Sequence, residues 1–139
     1  MIVLDTGGLY AALDANEGLH GRAVAALVSA TPPRVLSPFV LAELDYLIGS
    51  RVGHQAQMAL IDEVTRGAYH LDLFSPEDVG DAKRVMERYA DLRIGLADAS
   101  VVVLANRHRS VDLLCTDERH FRVIRGPGGK PFRLLPFDV

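Results

Sequence analysis

Hydrophobic residues recur along the chain with two periods, and the way these periods follow each other predicts strands separated by helices. Short apolar or alternating runs are typical of strands, and they cover residues 1–4, 34–37, 69–74, 111–115 and 132–135. Apolar residues three or four positions apart predict helices over 6–15, 19–30, 38–48, 55–66, 76–91, 96–108 and 118–123. The order β-α-α-β-α-α-β-α-α-β-α-β predicts a three-layer α/β/α domain with a mostly parallel central sheet of four to five strands.

Turn residues support several of these boundaries. Ser37-Pro38 and Ser75-Pro76 each place a capping serine before a proline at the first helical position, and Gly67 is expected to close the helix that precedes it. Gly7 and Gly8 are poor helix formers at the start of a helix. Their presence there suggests that another segment of backbone approaches them closely.

Composition narrows the class of protein but does not reveal a function. The 139 residues suit a single domain, 1–139, and 49% of them are hydrophobic, as in ordinary globular proteins. The lone Cys115 excludes an internal disulfide, and we find neither a secretion leader nor an apolar stretch long enough for a membrane span. We therefore expect a cytoplasmic protein. With a formal net charge of −3, any binding of nucleic acid needs a local basic surface.

Four acidic residues stand at positions that the predicted fold brings to one edge of the sheet. Asp5 and Asp117 follow strands, whereas Glu43 and Asp98 lie in the early turns of apolar helices. Each acid alone has an ordinary explanation as a helix cap, a response to a helix dipole or a solvated residue. Together they favour a site, because ligands of parallel α/β sheets bind outside the carboxyl ends of the strands.

Four converging carboxylates require counter-charge. Two carboxylates about 4 Å apart repel each other by roughly 4 kcal/mol at an effective dielectric constant near 20. A hard divalent cation would relieve this repulsion, and oxygen ligands suit Mg²⁺ or Mn²⁺ rather than zinc. Such ions activate water and neutralise phosphate oxygens, so the acids point to hydrolysis of a phosphodiester.

The same residues resemble the signature of the PIN-domain family. The matching segments are Asp5-Thr6 after the first strand, Ser37 to Leu44 around Glu43, Ile94 to Ala99 around Asp98, and Thr116-Asp117 before Phe121. The chain length and the segment around Asp98 are similar to those of the VapC toxins of bacterial type II toxin-antitoxin pairs.

This resemblance implies a function, a set of site residues and partners. It implies a Mg²⁺- or Mn²⁺-dependent endoribonuclease toxin that cuts structured RNA, such as tRNA or rRNA, and forms a homodimer. A VapB-type antitoxin would hold the toxin inactive. The metal-binding and catalytic acids would be Asp5, Glu43, Asp98 and Asp117, with Thr6 and Thr116 as polar neighbours.

Contacts to RNA and between subunits are less sharply indicated. The segment 93–139 is net basic, and we take Arg93, Arg119 and Arg122 as candidate RNA contacts, with Phe121 or Phe132 as a platform for an unpaired base. A solvated basic face explains these arginines equally well. For a homodimer, the candidate contact residues, which suit the core equally well, are Leu44, Leu47, Ile48, Met58 and Leu60.

Other interpretations have weaker support. A phosphatase with an aspartyl nucleophile would need a second aspartate where this chain has Gly7. A catalytically idle PIN-fold module that binds RNA or protein is the remaining alternative. The glycine-rich stretch 126–130 lacks the Ser or Thr of a phosphate-binding loop, so we expect an ordinary loop. Among the five histidines, only His120, close to Asp117, merits a test.

Overall fold

A computed structural model describes all residues, 1–139, and contains one parallel sheet of five strands. In chain order the strands are β1 (Ile2–Leu4), β2 (Arg34–Leu36), β3 (His70–Leu71), β4 (Asp112–Leu114) and β5 (Arg133–Leu135). Their spatial order is β3-β2-β1-β4-β5, and all four pairings are parallel. β1 is therefore the central strand, and the ends of β2 and β4 lie on either side of its carboxyl end.

Seven α-helices form the outer layers. They are α1 (Thr6–Leu13), α2 (His20–Ser29), α3 (Pro38–Arg51), α4 (His54–Thr65), α5 (Pro76–Arg88), α6 (Leu96–His108) and α7 (Glu118–Phe121). The element order and the three-layer α/β/α architecture are those predicted from the sequence. None of the helices combines the length and the apolar character needed to cross a membrane.

The core lies along β1 and α6. All three residues of β1 are inaccessible to solvent, as expected for a strand covered on both faces. Helix α6 is buried without interruption from Ala99 to Ala105, so the prediction from its apolar surface is confirmed. The first turn of this buried helix carries Asp98, which is thereby held in a fixed position relative to the sheet.

The predicted helix boundaries are confirmed where the caps are strong. Ser37 Oγ accepts a hydrogen bond from Phe39 N at 3.1 Å. At α5, Ser75 and Asp78 form a reciprocal capping box. Gly67, just after α4, has φ +82°, a left-handed conformation that glycine adopts without steric cost.

The structure corrects several boundaries. Helices α1 and α7 each end two residues earlier than predicted, at Leu13 and Phe121. The predicted strand 69–74 is reduced to His70–Leu71 and both residues are exposed, because β3 is an edge strand and its only neighbour, β2, ends at Leu36. Helix α5 ends at Arg88, and a 3₁₀ turn, Ala90–Leu92, replaces its predicted last turn. Helix α3 continues through Gly49 to Arg51.

Gly7 and Gly8 are explained by close approach to β4, as the sequence suggested. A Cβ atom on Gly8 would lie 2.6 Å from Cys115 N, and one on Gly7 would lie 2.5 Å from Thr116 Oγ1. Because Gly8 faces backbone atoms, only glycine at this position lets α1 begin this close to the end of β4. This packing brings Asp5 and the Thr116-Asp117 segment side by side.

The apolar surface expected on α3 and α4 is mostly core. Leu44, Ile48 and Leu60 are buried, Leu47 is half-buried, and Met58 alone of the five is exposed. A helix face that packs on the sheet and one that packs on a partner have apolar residues at the same spacing. The sequence therefore did not distinguish between them.

Candidate functional site

Two adjacent parallel strands deliver acidic residues to the same place. β1 ends at Leu4 and β4 at Leu114, and these two residues are register partners. The backbone N–H of Asp5 donates to Leu114 O at 3.0 Å, so the carboxyl ends of the two strands remain in contact. Asp117 follows three residues after Leu114. Parallel pairing thus explains why residues more than a hundred positions apart share one site.

Two helices bring the other acids to this edge. Asp98 lies in the first turn of α6 and Glu43 in the second turn of α3. The beginnings of the helices are joined by a buried contact of 2.6 Å between Ser37 Oγ and Ser100 Oγ, and Ser100 Oγ also lies 2.6 Å from Ala97 O. One hydroxyl donates to the other, so this contact fixes the first turn of α6 against the start of α3.

The tightest group in the site contains two carboxylates and one imidazole. Ligand atoms of Asp98, Asp117 and His120 lie within 4.8 Å of one another. His120 Nδ1 is 2.8 Å from Asp117 Oδ2 and 3.5 Å from Asp98 Oδ2. Asp117 also caps α7, because Oδ1 accepts the backbone N–H of His120 at 3.1 Å. The sequence marked His120 only by its position three residues after Asp117, which places both on one helical turn.

The other predicted side chains surround this group. Thr6 Oγ1 donates to Glu43 Oε1 at 2.6 Å, which holds Glu43 over the start of α1. Thr116 is half-buried and lies opposite the open side of Gly7. Glu43 is exposed, so it forms the solvent side of the site. Asp5, 3% exposed, forms its floor.

The acids perturb one another, and the largest effect is that of burial. Burial raises the pKa of Asp5 to about 7, and the negative charges of Asp98 and Asp117 add to this effect. Burial also raises the pKa of Asp98, with further contributions from Asp117 and Glu43, whereas His120 acts in the opposite direction. These effects mark Asp98 as the residue that interacts electrostatically with all the other acids.

The residues present fit a divalent metal ion. No lysine or arginine forms an ion pair with any of the four acids. The buried Oδ1 of Asp5 and both ring nitrogens of His120 have no hydrogen-bond partner. Nδ1 of His120 lies near Asp117 Oδ2 but without hydrogen-bonding geometry. Buried polar atoms normally have partners, and a donor set dominated by carboxylate oxygens suits Mg²⁺ or Mn²⁺.

The structure treats the predicted RNA contacts differently. Arg122 is engaged by Asp138, to which it makes two hydrogen bonds of 2.6 and 2.8 Å, and also by Glu118. Arg93 and Arg119 are exposed and form no ion pair. These three contacts stay predictions.

The expectation that an aromatic residue stacks on an RNA base is wrong for both candidates. Phe121 and Phe132 are 1% and 4% exposed and pack edge to face, with ring centroids 6.1 Å apart. Neither ring face is open to a base.

The fold and site together define a class: a parallel α/β domain with uncompensated acids at the carboxyl edge of its sheet. The PIN-domain family model matches residues 2–127. Ribonuclease VapC26 of Mycobacterium tuberculosis is 40% identical over 135 residues, which cover 97% of this chain and 100% of that protein. The chain therefore belongs to the PIN-domain family and is of the VapC type.

Solved structures agree with this assignment at the level of fold. VapC20 of Mycobacterium tuberculosis, described as a sarcin-ricin loop cleaving toxin, superposes with a TM-score of 0.78 at 21% identity and covers 84% of this chain and 90% of its own. FitAcB of Neisseria gonorrhoeae superposes with a TM-score of 0.54 at 23% identity, over 78% of this chain and 83% of that one.

Proposed function

We propose that the chain is a metal-dependent endoribonuclease toxin that hydrolyses phosphodiester bonds in structured RNA, either tRNA or rRNA. The observation that carries this proposal is the group of four acids with no lysine or arginine to compensate them. Membership of the PIN-domain family and 40% identity to a VapC ribonuclease support the activity. The proposal extends these findings to the ion, the RNA class and the individual residues.

Asp5, Asp98 and Asp117 would hold the ion, with Glu43 and His120 at its margin. Bound there, Mg²⁺ or Mn²⁺ supplies an activated water and neutralises phosphate oxygens. The chain positions these donors through its own contacts: Thr6 holds Glu43, and the cap of α7 orients Asp117. Asp5 is buried, so its interactions with the neighbouring acids and with a bound ion are less screened by solvent than those of an exposed carboxylate.

Two protein contacts belong to the same proposal. A VapB-type antitoxin would hold the enzyme inactive in the cytoplasm, as the resemblance to VapC proteins implies. A second copy of the chain would form a homodimer. The large apolar side chains that α3, α4 and their connection leave exposed are Tyr46, Val52 and Met58. We propose these in place of the mostly buried residues expected from the sequence.

The test is cleavage of total bacterial RNA by the purified protein, freed of any partner. Parallel reactions contain Mg²⁺, Mn²⁺ or EDTA, and another set uses the variant Asp98→Asn, which controls for a contaminating nuclease. Discrete fragments that require metal and disappear in the variant would support the proposal, and mapping their ends would identify the target.

Absence of cleavage would count against the nuclease if the protein is folded and still binds the metal. That result would favour the alternative of a catalytically idle module that binds RNA or protein. Metal binding is followed separately by calorimetric titration with Mn²⁺, so loss of the ion and loss of chemistry are distinguished.

A further inference from the structure

A second charged surface lies on the far part of α6, away from the acids. Two adjacent hollows of about 420 and 540 Å³ share Asn106 as a lining residue. Arg88 and Arg125 line the first hollow, and Arg109 and Lys130 line the second. No acidic residue lines either hollow. We call these four basic residues the cationic patch.

Several basic residues near the two hollows form ion pairs, whereas the four residues of the cationic patch form none. Arg107 pairs with Asp72 and Asp78, Arg122 pairs with Glu118 and Asp138, and Arg133 pairs with Asp112, as the contacts within 4.0 Å show. All four patch residues are exposed, and none of them has a carboxylate within 4.0 Å. In a chain of net charge −3, four uncompensated cations in one place are not accounted for by internal pairing.

Arg125 and Lys130 lie on one turn of the backbone, which is closed by its own hydrogen bonds. Gly126 N donates to Lys130 O at 2.7 Å, and Arg125 forms an antiparallel bridge with Pro131. Tyr89 Oη accepts the backbone N–H of Arg125 at 3.0 Å, which joins this turn to the end of α5. Arg125 and Lys130 are therefore held at the two sides of a fixed turn.

We propose that the cationic patch binds phosphates of the RNA backbone at a distance from the scissile phosphate. This inference rests on the proposed ribonuclease function. Phosphates are recognised by basic side chains without apolar anchors, whereas protein interfaces have a buried apolar or aromatic centre. None of the large apolar residues that line the hollows is fully exposed: Tyr89 and Val111, for example, are half-buried and Val102 is buried. Their chemistry therefore favours a polyanion over a protein.

The position of the cationic patch suits an extended substrate. Helix α6 carries Asp98 in its first turn and Asn106 eight residues later, which corresponds to about 12 Å along the helix axis. A structured RNA longer than this distance would reach the patch with one segment while another segment lies at the acids. The patch would then orient RNA, while the acids act on the scissile phosphate.

Binding of a fluorescein-labelled polyuridine RNA tests the proposal by anisotropy over a series of salt concentrations. All proteins carry Asp98→Asn so that the RNA stays intact. The test variant adds Arg125→Gln and Lys130→Gln. The control adds Lys83→Gln and Arg84→Gln, which remove the same charge from α5 but from residues paired with Glu87 and Asp81. Circular dichroism and thermal unfolding establish that both variants are folded.

We expect the test variant to bind polyuridine roughly tenfold more weakly at 0.15 M salt. The slope of the logarithm of its binding constant against the logarithm of the salt concentration should be shallower by about 1.4, because two phosphate contacts are lost. The control should keep the affinity and the slope of its parent. Equal affinity and slope in both variants would overturn the proposal. A change from dimer to monomer by light scattering with unchanged RNA affinity would also overturn it, in favour of a protein contact. Cleavage by the unmodified protein is measured separately, so a failure of the ribonuclease proposal is recognised independently.

Discussion

Two groups of carboxylates lie at the ends of strands in this protein, and they differ in their counter-charges. Just beyond β3, Asp72 Oδ2 lies 2.6 Å from His108 Nε2 and 3.2 Å from Arg107 Nη1, and Arg107 also pairs with Asp78. Burial alone would raise the pKa of Asp72, but His108 and Arg107 outweigh it and lower the pKa. This matched group joins α6 to the segment that leads into α5.

The acids beyond β1 and β4 have no lysine or arginine as a counter-charge. Burial and mutual repulsion raise the pKa of Asp5 and of Asp98, and His120 is the only basic side chain beside them. The matched group stabilises the fold by its own contacts. The unmatched group destabilises the fold through its mutual repulsion, which is the behaviour expected of a site kept for function rather than for stability.

Neutralising an unmatched acid should have the largest effect. We expect Asp98→Asn to lower RNA cleavage at least a hundredfold, a loss on the order of 3 kcal/mol of transition-state stabilisation or more. The unfolding free energy of the metal-free protein should stay the same or rise, because a repulsive charge is removed. Cleavage rates and urea unfolding in EDTA measure the two effects.

The control variant is Asp112→Asn. Asp112 lies at the start of β4, and its carboxylate pairs with Arg133. This variant should keep its cleavage activity. Similar activity in Asp98→Asn and Asp112→Asn would contradict a special role of the unmatched acids in cleavage.

The pH dependence of stability should reveal the unmatched group next. Between the usual carboxyl pKa of 3.8 and the raised value of about 7, the folded chain keeps a proton on Asp5 that the unfolded chain releases. The stability that the proton represents is present at low pH and is lost as the pH rises through this window. We expect the metal-free protein to lose about 2–3 kcal/mol between pH 5 and pH 7, measured by urea unfolding.

Two conditions sharpen this prediction. Asp5→Asn should flatten the profile because the titrating group is gone, and saturating Mn²⁺ should restore stability at pH 7 more than at pH 5. A wild-type profile in EDTA that is level, or that rises between pH 5 and pH 7, would show that the charge of Asp5 is compensated within the chain.

Breaking the matched group should affect stability rather than chemistry. Asp72→Asn leaves Arg107 and His108 without their shared carboxylate, and we expect a loss of about 2 kcal/mol in unfolding free energy. RNA cleavage per folded molecule should be retained. Loss of cleavage at full stability would mean that the two groups of acids are coupled.

The smallest expected effect concerns the contact beneath the unmatched acids. Ser100→Ala removes a buried hydroxyl that meets Ser37 at 2.6 Å, which should cost about 1 kcal/mol of stability. The first turn of α6 would lose its tie to α3, so cleavage should fall more than stability alone explains. Ser50→Ala, at an exposed serine of α3, is the comparison; equal activity in both variants would contradict a positioning role for Ser100.

Local features of the sequence predicted the elements well because they depend on neighbours in the chain. The caps at Ser37 and Ser75 and the buried surface of α6 follow from spacing that any helix would impose. The edge strand after Tyr69 was predicted too long, since the length of a strand depends on the neighbour it pairs with. The candidate acids were found because acidic residues within apolar segments are unusual in sequence as well as in space.

The sequence by itself determined the order of strands and helices and the parallel architecture, and it supplied the four candidate acids. Only the tertiary structure decided which charges are compensated. The contact between Asp72 and His108 joins residues 36 positions apart, and that between Arg122 and Asp138 joins residues 16 positions apart. The tertiary structure also placed His120 between Asp98 and Asp117. It left four basic residues without an ion pair: Arg88, Arg109, Arg125 and Lys130. Hydrophobic periodicity is a local property of the chain, whereas charge compensation depends on distances between residues that only folding brings together.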